Sequence, residues 1–144
     1  MTELPRPCVV DASVAIKLFL PEAHSEIVQR FVREAVSGDK SLLYVPDFFF
    51  IECANVLWKR VRRGEYPEET ALRDLAYLSE IDLPTTPSSE LMERSLQLAC
   101  LYGITAYDAC YAALSEQLDL PLLTADMRLA HLLSKAGLKV VALG

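Results

Sequence analysis

Apolar positions in this chain form two kinds of pattern, longer stretches with helical spacing and short continuous runs. Ile27, Phe31 and Ala35 recur every four residues, the spacing of one face of an amphipathic helix. Similar spacing precedes each later internal glycine. Glycine commonly follows a helix because it adopts the left-handed backbone conformation without steric penalty. The pattern therefore predicts helices that end near Gly38, Gly64, Gly103 and Gly137.

The short apolar runs between these helices have the character of strands. They are continuous rather than alternating, as is typical of parallel strands buried on both faces. They occupy residues 8–10 (CVV), 42–45 (LLYV), 121–124 (PLLT) and 139–143 (KVVAL). Two further helices, over 67–79 and 88–102, are separated by EIDLPTTP, which predicts either a helical hairpin or one short edge strand. The alternation of strand and helix predicts an α/β fold with a parallel sheet.

Length and composition indicate one globular domain over residues 1–144, with 52% hydrophobic and 24% charged residues. The apolar N-terminal stretch is interrupted by Asp11 and Lys17, which argues against a signal peptide and a membrane span. We therefore expect a cytoplasmic protein.

The cysteines and histidines point to no metal or disulfide framework. The four cysteines lie in apolar segments without a C-x-x-C pair, which favours reduced, buried thiols. His24 and His131 are isolated, and we interpret them as surface or half-buried side chains.

The net charge is −6, from 14 Lys and Arg against 20 Asp and Glu. This acidity argues against a protein that coats nucleic acid nonspecifically, since such proteins are usually basic. An enzyme that reaches a phosphate through bound divalent cations remains compatible with it, because such ions can outweigh every other local charge.

Three aspartates stand at predicted element boundaries. Asp11 directly follows the run at 8–10, and Asp126 lies two residues after the run at 121–124. Ligands of open parallel sheets bind beyond the carboxyl ends of the strands, so neighbouring strands would bring these carboxylates into one crevice. Asp11 and Asp126 have a simpler interpretation as helix N-caps, and Asp108, three residues after Thr105, has the spacing of a capping box, although that motif prefers Glu or Gln.

Glu52 is harder to explain as a structural residue, because it lies in the apolar segment PDFFFIECANVLW. A lone carboxylate is unfavourable to bury there. The structural alternative is a narrow solvated stripe that continues through Asn55 and Lys59. Four carboxylates without histidine or thiolate would suit Mg²⁺ or Mn²⁺, and phosphoryl chemistry with two metals is the usual purpose of such a site.

Three segments carry a resemblance to a known family: VVDASVAIKLFLPE, FIECANVL and GITAYDACYAALSEQLDLPLLTAD. In this order and spacing, from Cys8 to about Arg128, the chain closely resembles the PIN-domain ribonucleases, specifically the VapC toxins of toxin–antitoxin pairs. The resemblance implies a three-layer α/β/α sandwich with a central parallel sheet and an acidic pocket for Mg²⁺ or Mn²⁺. Its acids match Asp11, Glu52, Asp108 and Asp126, and its polar support positions match Ser13, Asn55 and Thr124.

This resemblance implies metal-dependent endonucleolytic cleavage of RNA, with Asp11 and Asp108 as core ligands and products that carry a 5′-phosphate and a 3′-hydroxyl. It also implies a homodimer and an antitoxin partner with a basic tail. The run KRVRR could track RNA phosphates through Lys59 and Arg60, with Arg128 as a further contact. Cations that favour the C-terminus of a helix are the alternative explanation for this run.

Two other enzyme or signalling classes also use an α/β domain with acids at its strand ends. An aspartate-nucleophile phosphatase would need an acid two residues after Asp11, where Ser13 stands, and a phosphotransfer receiver would need an acidic neighbour beside Asp11. The non-enzymatic alternative is a module that binds a basic peptide in its acidic pocket.

Overall fold

The computed structural model describes residues 3–144 and contains one five-stranded parallel sheet with the order β3-β2-β1-β4-β5. The strands are β1 (Cys8–Val10), β2 (Leu43–Pro46), β3 (Thr85–Thr86), β4 (Leu122–Thr124) and β5 (Val140–Ala142). All four runs predicted as strands are confirmed. The segment between the two successive helices forms the short edge strand β3, one of its two predicted alternatives.

Seven α-helices connect these strands. They are α1 (Ala12–Ala15), α2 (Ser25–Val36), α3 (Phe49–Arg62), α4 (Glu68–Glu80), α5 (Met92–Tyr102), α6 (Ala106–Leu118) and α7 (Met127–Lys135). The helix predicted over 88–102 is divided, because a 3₁₀ turn at Ser88–Glu90 precedes α5. Gly103 caps α5 with φ 67°, a left-handed conformation that lets the chain turn at once into α6.

The direction of the strand connections places helices on both faces of the sheet. The connections from β1 to β2 and from β2 to β3 run in one direction, whereas those to β4 and β5 run in the other. Right-handed crossovers therefore place α1–α4 on one face and α5–α7 on the opposite face. The packing agrees, because α3 contacts α1 and α4 whereas α5 contacts α6. This is the predicted three-layer α/β/α sandwich.

The central strands are the most deeply buried part of the sheet. All residues of β1 and β4 are buried, as their continuous apolar runs predict. Strand β5 lies at the edge and is partly exposed, so its apolar run does not indicate burial on both faces. Helix α6 covers the sheet with a continuous buried segment from Ala109 to Ser115. The core therefore lies directly beneath the carboxyl ends of β1 and β4.

Two sequence-based expectations concern the thiols and the membrane. All four cysteines are free, and three of them are buried, whereas Cys100 is exposed, contrary to prediction. Within residues 3–144, none of the helices combines the length and the apolar character that crossing a bilayer demands.

Candidate active site at the carboxyl edge of the sheet

Asp11 occupies the point where β1 ends and α1 begins. Its side chain is 4% exposed and caps α1. The Thr124 hydroxyl donates to Asp11 Oδ2 at 2.7 Å, and the Ser13 hydroxyl donates to the same oxygen at 3.0 Å. Burial raises the pKa of Asp11, the hydroxyl bonds oppose that shift, and the charge of Asp126 adds to it. The structure thus fixes the orientation of this carboxylate.

The same two hydroxyls join the end of β1 to the end of β4. Ser13 Oγ accepts a hydrogen bond from the Ala125 N–H at 3.0 Å, and Thr124 Oγ1 accepts one from the Asp126 N–H at 3.1 Å. Ser13 and Thr124, the two residues proposed above as supports, therefore bind the Asp11 carboxylate and also brace the segment that carries Asp126.

Asp126 and Asp108 flank Asp11 at the starts of two helices. Asp126 caps α7 by accepting from the Leu129 N–H at 3.0 Å. Asp108 lies in the first turn of α6, and its N–H donates to the Thr105 hydroxyl at 3.1 Å. The capping interpretation is therefore correct for Asp11 and Asp126. At Asp108 the cap is Thr105, and the aspartate side chain is half-buried toward the sheet edge.

Charge repulsion links these aspartates with Glu52 of α3. Burial raises the pKa of Glu52 to about 7, and the charges of Asp11 and Asp108 add to this shift. Burial also raises the pKa of Asp108, with further contributions from the charges of Asp11 and Asp126. We name the space shared by Asp11, Glu52, Asp108 and Asp126 the acidic crevice.

Within residues 3–144, no cation forms an ion pair with a carboxylate of the acidic crevice. Lys59 lowers the pKa of Glu52 but has the smallest influence on it, and burial and the charges of Asp11 and Asp108 act in the opposite direction. Four oxygen donors of like charge are the ligand type that Mg²⁺ and Mn²⁺ prefer, so the donor set fits a divalent cation. In residues 3–144 no three acidic, histidine or cysteine side chains are grouped closely enough to ligate one ion. Assembly of a metal centre would therefore need the side chains to move inward.

A cavity of about 200 Å³ adjoins the crevice and lies between the loop before α6 and the start of α7. Asp108 and Asp126 line it together with Thr105 and Arg128, and Leu129 forms part of its apolar wall. Arg128, a predicted RNA contact, thus lies beside two of the four acids. The cavity could therefore accommodate part of a ligand that binds at the carboxylates.

The other residues predicted to contact RNA or to support the carboxylates differ in their exposure and in their contacts. Lys59 is exposed on α3. The Arg60 guanidinium forms ion pairs with Glu22 at 2.5 Å and with Glu65 at 3.7 Å, so it is already engaged within the molecule. Asn55 is exposed, and among the described side chains it makes no hydrogen bond to a carboxylate of the crevice. Its predicted support role has no contact in this structure.

Sequence reasoning missed Tyr111, a fully buried residue on α6 next to the crevice. The available signal was its spacing, because Tyr111 lies three residues after Asp108 and therefore on the same face of α6. Its hydroxyl lowers the pKa of Glu52. Tyr111 thus belongs to the surroundings of the candidate site.

Comparison with known proteins adds independent evidence. The family model described as PIN domain matches residues 8–133. Ribonuclease VapC3 of Pyrobaculum aerophilum is 39% identical over 125 residues, which cover 85% of this chain and 92% of that protein.

Two solved structures have the same fold. The crystal structure of PAE2754 from Pyrobaculum aerophilum covers 86% of this chain and 84% of its own, with a TM-score of 0.66 and 27% identity. A toxin–antitoxin complex from Klebsiella pneumoniae covers 94% of this chain and 96% of its own, with a TM-score of 0.57. The latter is 18% identical and shows the likeness of fold alone.

Proposed function

Because the chain belongs to the PIN-domain family, we propose that it is an endoribonuclease dependent on Mg²⁺ or Mn²⁺ and the toxin of a toxin–antitoxin pair. The observation that carries this proposal is the acidic crevice, in which burial and mutual repulsion raise the pKa values of Asp11, Glu52 and Asp108. Among the described residues, none of the four carboxylates has an ion-pair partner. The similarity to a protein named Ribonuclease VapC3 along most of both chains supports RNA as the substrate. We treat residues 1–144 as one nuclease domain.

In this proposal Asp11 and Asp108 are the core metal ligands, and Glu52 and Asp126 complete the site. A bound divalent cation supplies Lewis acidity and lowers the pKa of a water molecule that it holds. The raised pKa values of Asp11, Glu52 and Asp108 support this assignment, because a bound cation would offset both the burial and the charge repulsion that raise them.

The chain's own residues orient the ligands and contact the substrate. Ser13 and Thr124 hold the Asp11 carboxylate through two hydroxyl bonds, so that it needs little reorganisation. Arg128 lines the cavity beside Asp108 and Asp126, where its cation can bind an RNA phosphate. Lys59, exposed on the helix of Glu52, is a second phosphate contact. Arg60 is not included, since its guanidinium is held by Glu22 and Glu65.

The proposal extends to partners and location. An antitoxin with an Arg- or Lys-bearing tail would inhibit the enzyme by placing that cation in the acidic crevice, and the fold shared with a toxin–antitoxin complex is compatible with such a partner. We propose a homodimer, which light scattering on the purified chain would measure. We place the activity in the cytoplasm, where reducing conditions keep the four thiols free.

Cleavage of total RNA by the purified chain tests the proposed function. With Mn²⁺ present we expect discrete cuts whose products carry a 5′-phosphate and a 3′-hydroxyl, and with excess chelator we expect none. Addition of Mn²⁺ beyond the chelator should restore cutting. Full cleavage in the chelator would refute the metal role, and absence of cleavage in both conditions would refute the nuclease assignment.

A further inference from the structure

The Tyr111 hydroxyl is an unusual group in this protein. The residue is 0% exposed, and its hydroxyl oxygen is the one buried side-chain nitrogen or oxygen of residues 3–144 without a hydrogen-bond partner. Buried polar groups are nearly always paired, because an unpaired one loses its hydration without compensation. A hydroxyl retained in this state needs a reason that packing alone does not give.

The packing of Tyr111 directs it toward the start of α3. Its ring meets the ring of Phe48 edge to face, with centroids 5.3 Å apart and planes at 67°. Phe48 is the residue before α3, and its carbonyl accepts a hydrogen bond from the Glu52 N–H at 3.0 Å. Tyr111 therefore contacts the helical turn that carries Glu52, while Asp108 stands one turn earlier on α6.

Glu52 needs an orienting partner more than Asp11 does. Its side chain is longer than that of aspartate, and among the described residues no hydrogen bond holds its carboxylate, whereas Asp11 has two hydroxyl donors. The Tyr111 hydroxyl lies close enough to lower the pKa of Glu52, yet the two groups do not meet in a formed hydrogen bond.

The chemistry of the two groups also suits this pairing. A tyrosine hydroxyl carries its proton at neutral pH, because its ordinary pKa is about 10, and it can therefore donate a hydrogen bond. An ionised carboxylate only accepts hydrogen bonds. Glu52 would therefore supply the acceptor that the buried Tyr111 hydroxyl lacks.

We propose that Tyr111 is a positioning residue for Glu52: its O–H donates to the ionised carboxylate and holds it in the crevice beside Asp11 and Asp108. This inference rests on the proposed metal site, in which Glu52 is a ligand. Partners that orient metal ligands in this way typically change metal affinity about 10- to 100-fold when they are removed.

The test compares Mn²⁺ binding by the wild type and by Tyr111→Phe. Each purified protein is titrated with Mn²⁺ alone, and electron paramagnetic resonance measures the concentration of the free ion. The matched control is Tyr107→Phe, which removes a hydroxyl from the same helix. Tyr107 also packs against the Phe48 ring, at 5.7 Å, but its side chain is 68% exposed. We expect the dissociation constant for Mn²⁺ to rise about 10-fold in Tyr111→Phe, and to be unchanged in the control.

Melting temperature in chelator separates positioning from a structural role. Tyr111→Phe removes a buried, unpaired hydroxyl, so we expect its melting temperature to be unchanged or higher. A lower melting temperature with unchanged Mn²⁺ affinity of the folded protein would overturn the inference.

The same substitution in a variant that lacks the Glu52 carboxylate keeps the inference testable even if Tyr111→Phe is less stable than the wild type. In Glu52→Ala protein, the added Tyr111→Phe change should weaken Mn²⁺ binding no further, because the side chain that accepts from the hydroxyl is gone. Equal weakening in both backgrounds would overturn the inference. Wild-type binding without an effect of Tyr111→Phe would overturn this inference alone, whereas no Mn²⁺ binding by the wild type would overturn the proposed function with it.

Discussion

Two clusters of charged side chains in this molecule differ in whether their carboxylates are paired with cations of the protein. In the first, which we name the paired cluster, Glu22 accepts from Lys17 Nζ at 3.2 Å and from Arg60 Nη2 at 2.5 Å. Lys17 is only 8% exposed, and it also donates to the Ala23 carbonyl at 3.0 Å. In the acidic crevice, by contrast, none of the four carboxylates forms an ion pair with a cation of the described residues.

This difference in charge pairing indicates different roles for the two clusters. The fold can supply cations to a half-buried carboxylate, since it gives two of them to Glu22. A charge matched within the chain stabilises the junction between the segment after α1 and the end of α3. Charges left unmatched raise one another's pKa values and favour the binding of an external cation. The comparison therefore predicts that the crevice governs activity and that the paired cluster governs stability.

The largest expected effect is loss of cleavage in Asp108→Asn. This change keeps the side-chain shape and removes one charge from the crevice, so cleavage of RNA should fall by at least about 100-fold, more than the loss of an outer partner causes. The melting temperature in chelator should be unchanged or higher, because like-charge repulsion is reduced. Cleavage rate and melting temperature are the two measurements.

Asp119→Asn is the matched control for that change. Asp119 lies at the other end of α6, is paired with Lys139, and has a left-handed backbone that asparagine also adopts readily. We expect normal cleavage from this variant. If Asp108→Asn lost stability and activity in the same proportion, the crevice would be a structural feature like the paired cluster.

The second effect concerns the paired cluster itself. Glu22→Gln would leave two cations without their shared carboxylate, and we expect a loss of about 2–3 kcal/mol in the free energy of unfolding. The value lies below that of a fully buried pair, since the Glu22 side chain is 24% exposed. Chemical denaturation would measure it, and cleavage per folded molecule should not change. A loss of cleavage at full stability would contradict the division of roles.

The smallest effect is a pH dependence of stability in chelator. Because the pKa of Glu52 rises from 4.5 to about 7 on folding, the folded state retains a proton that the unfolded state has released between these values. This contribution to stability is complete below about pH 4.5 and is lost as the pH rises through about 7. The melting temperature of the wild type should therefore fall between pH 5 and pH 8.

Glu52→Gln isolates that contribution. Its melting temperature should fall less over the same range, with a difference of roughly 2–4 °C at pH 8. Addition of Mn²⁺ at pH 8 should stabilise the wild type more than the variant. If the melting temperatures of the two proteins changed in parallel with pH, the raised pKa of Glu52 would not be the source of the pH dependence.

The sequence by itself determined the strands, most helix ends and the two capping aspartates. These features depend on neighbours only a few residues away. The run CVV followed by Asp11 predicts a strand end and a helix cap together, and the structure confirms both. The same local reasoning applies to Asp126 after LLT. Resemblance to a family then proposed that the distant acids belong to one site.

Only the tertiary structure decided which distant groups meet. Thr124 donates to Asp11 across 113 residues of sequence because β1 and β4 are parallel neighbours, and no local pattern contains that pairing. Arg60 reads as a free cation in KRVRR, but the fold places Glu22 against its guanidinium. The unpaired hydroxyl of Tyr111 could not be predicted from sequence either, because burial without a hydrogen-bond partner depends on the residues that pack around it. Local propensity acts within a few residues, whereas burial and charge pairing arise only when the layers pack together.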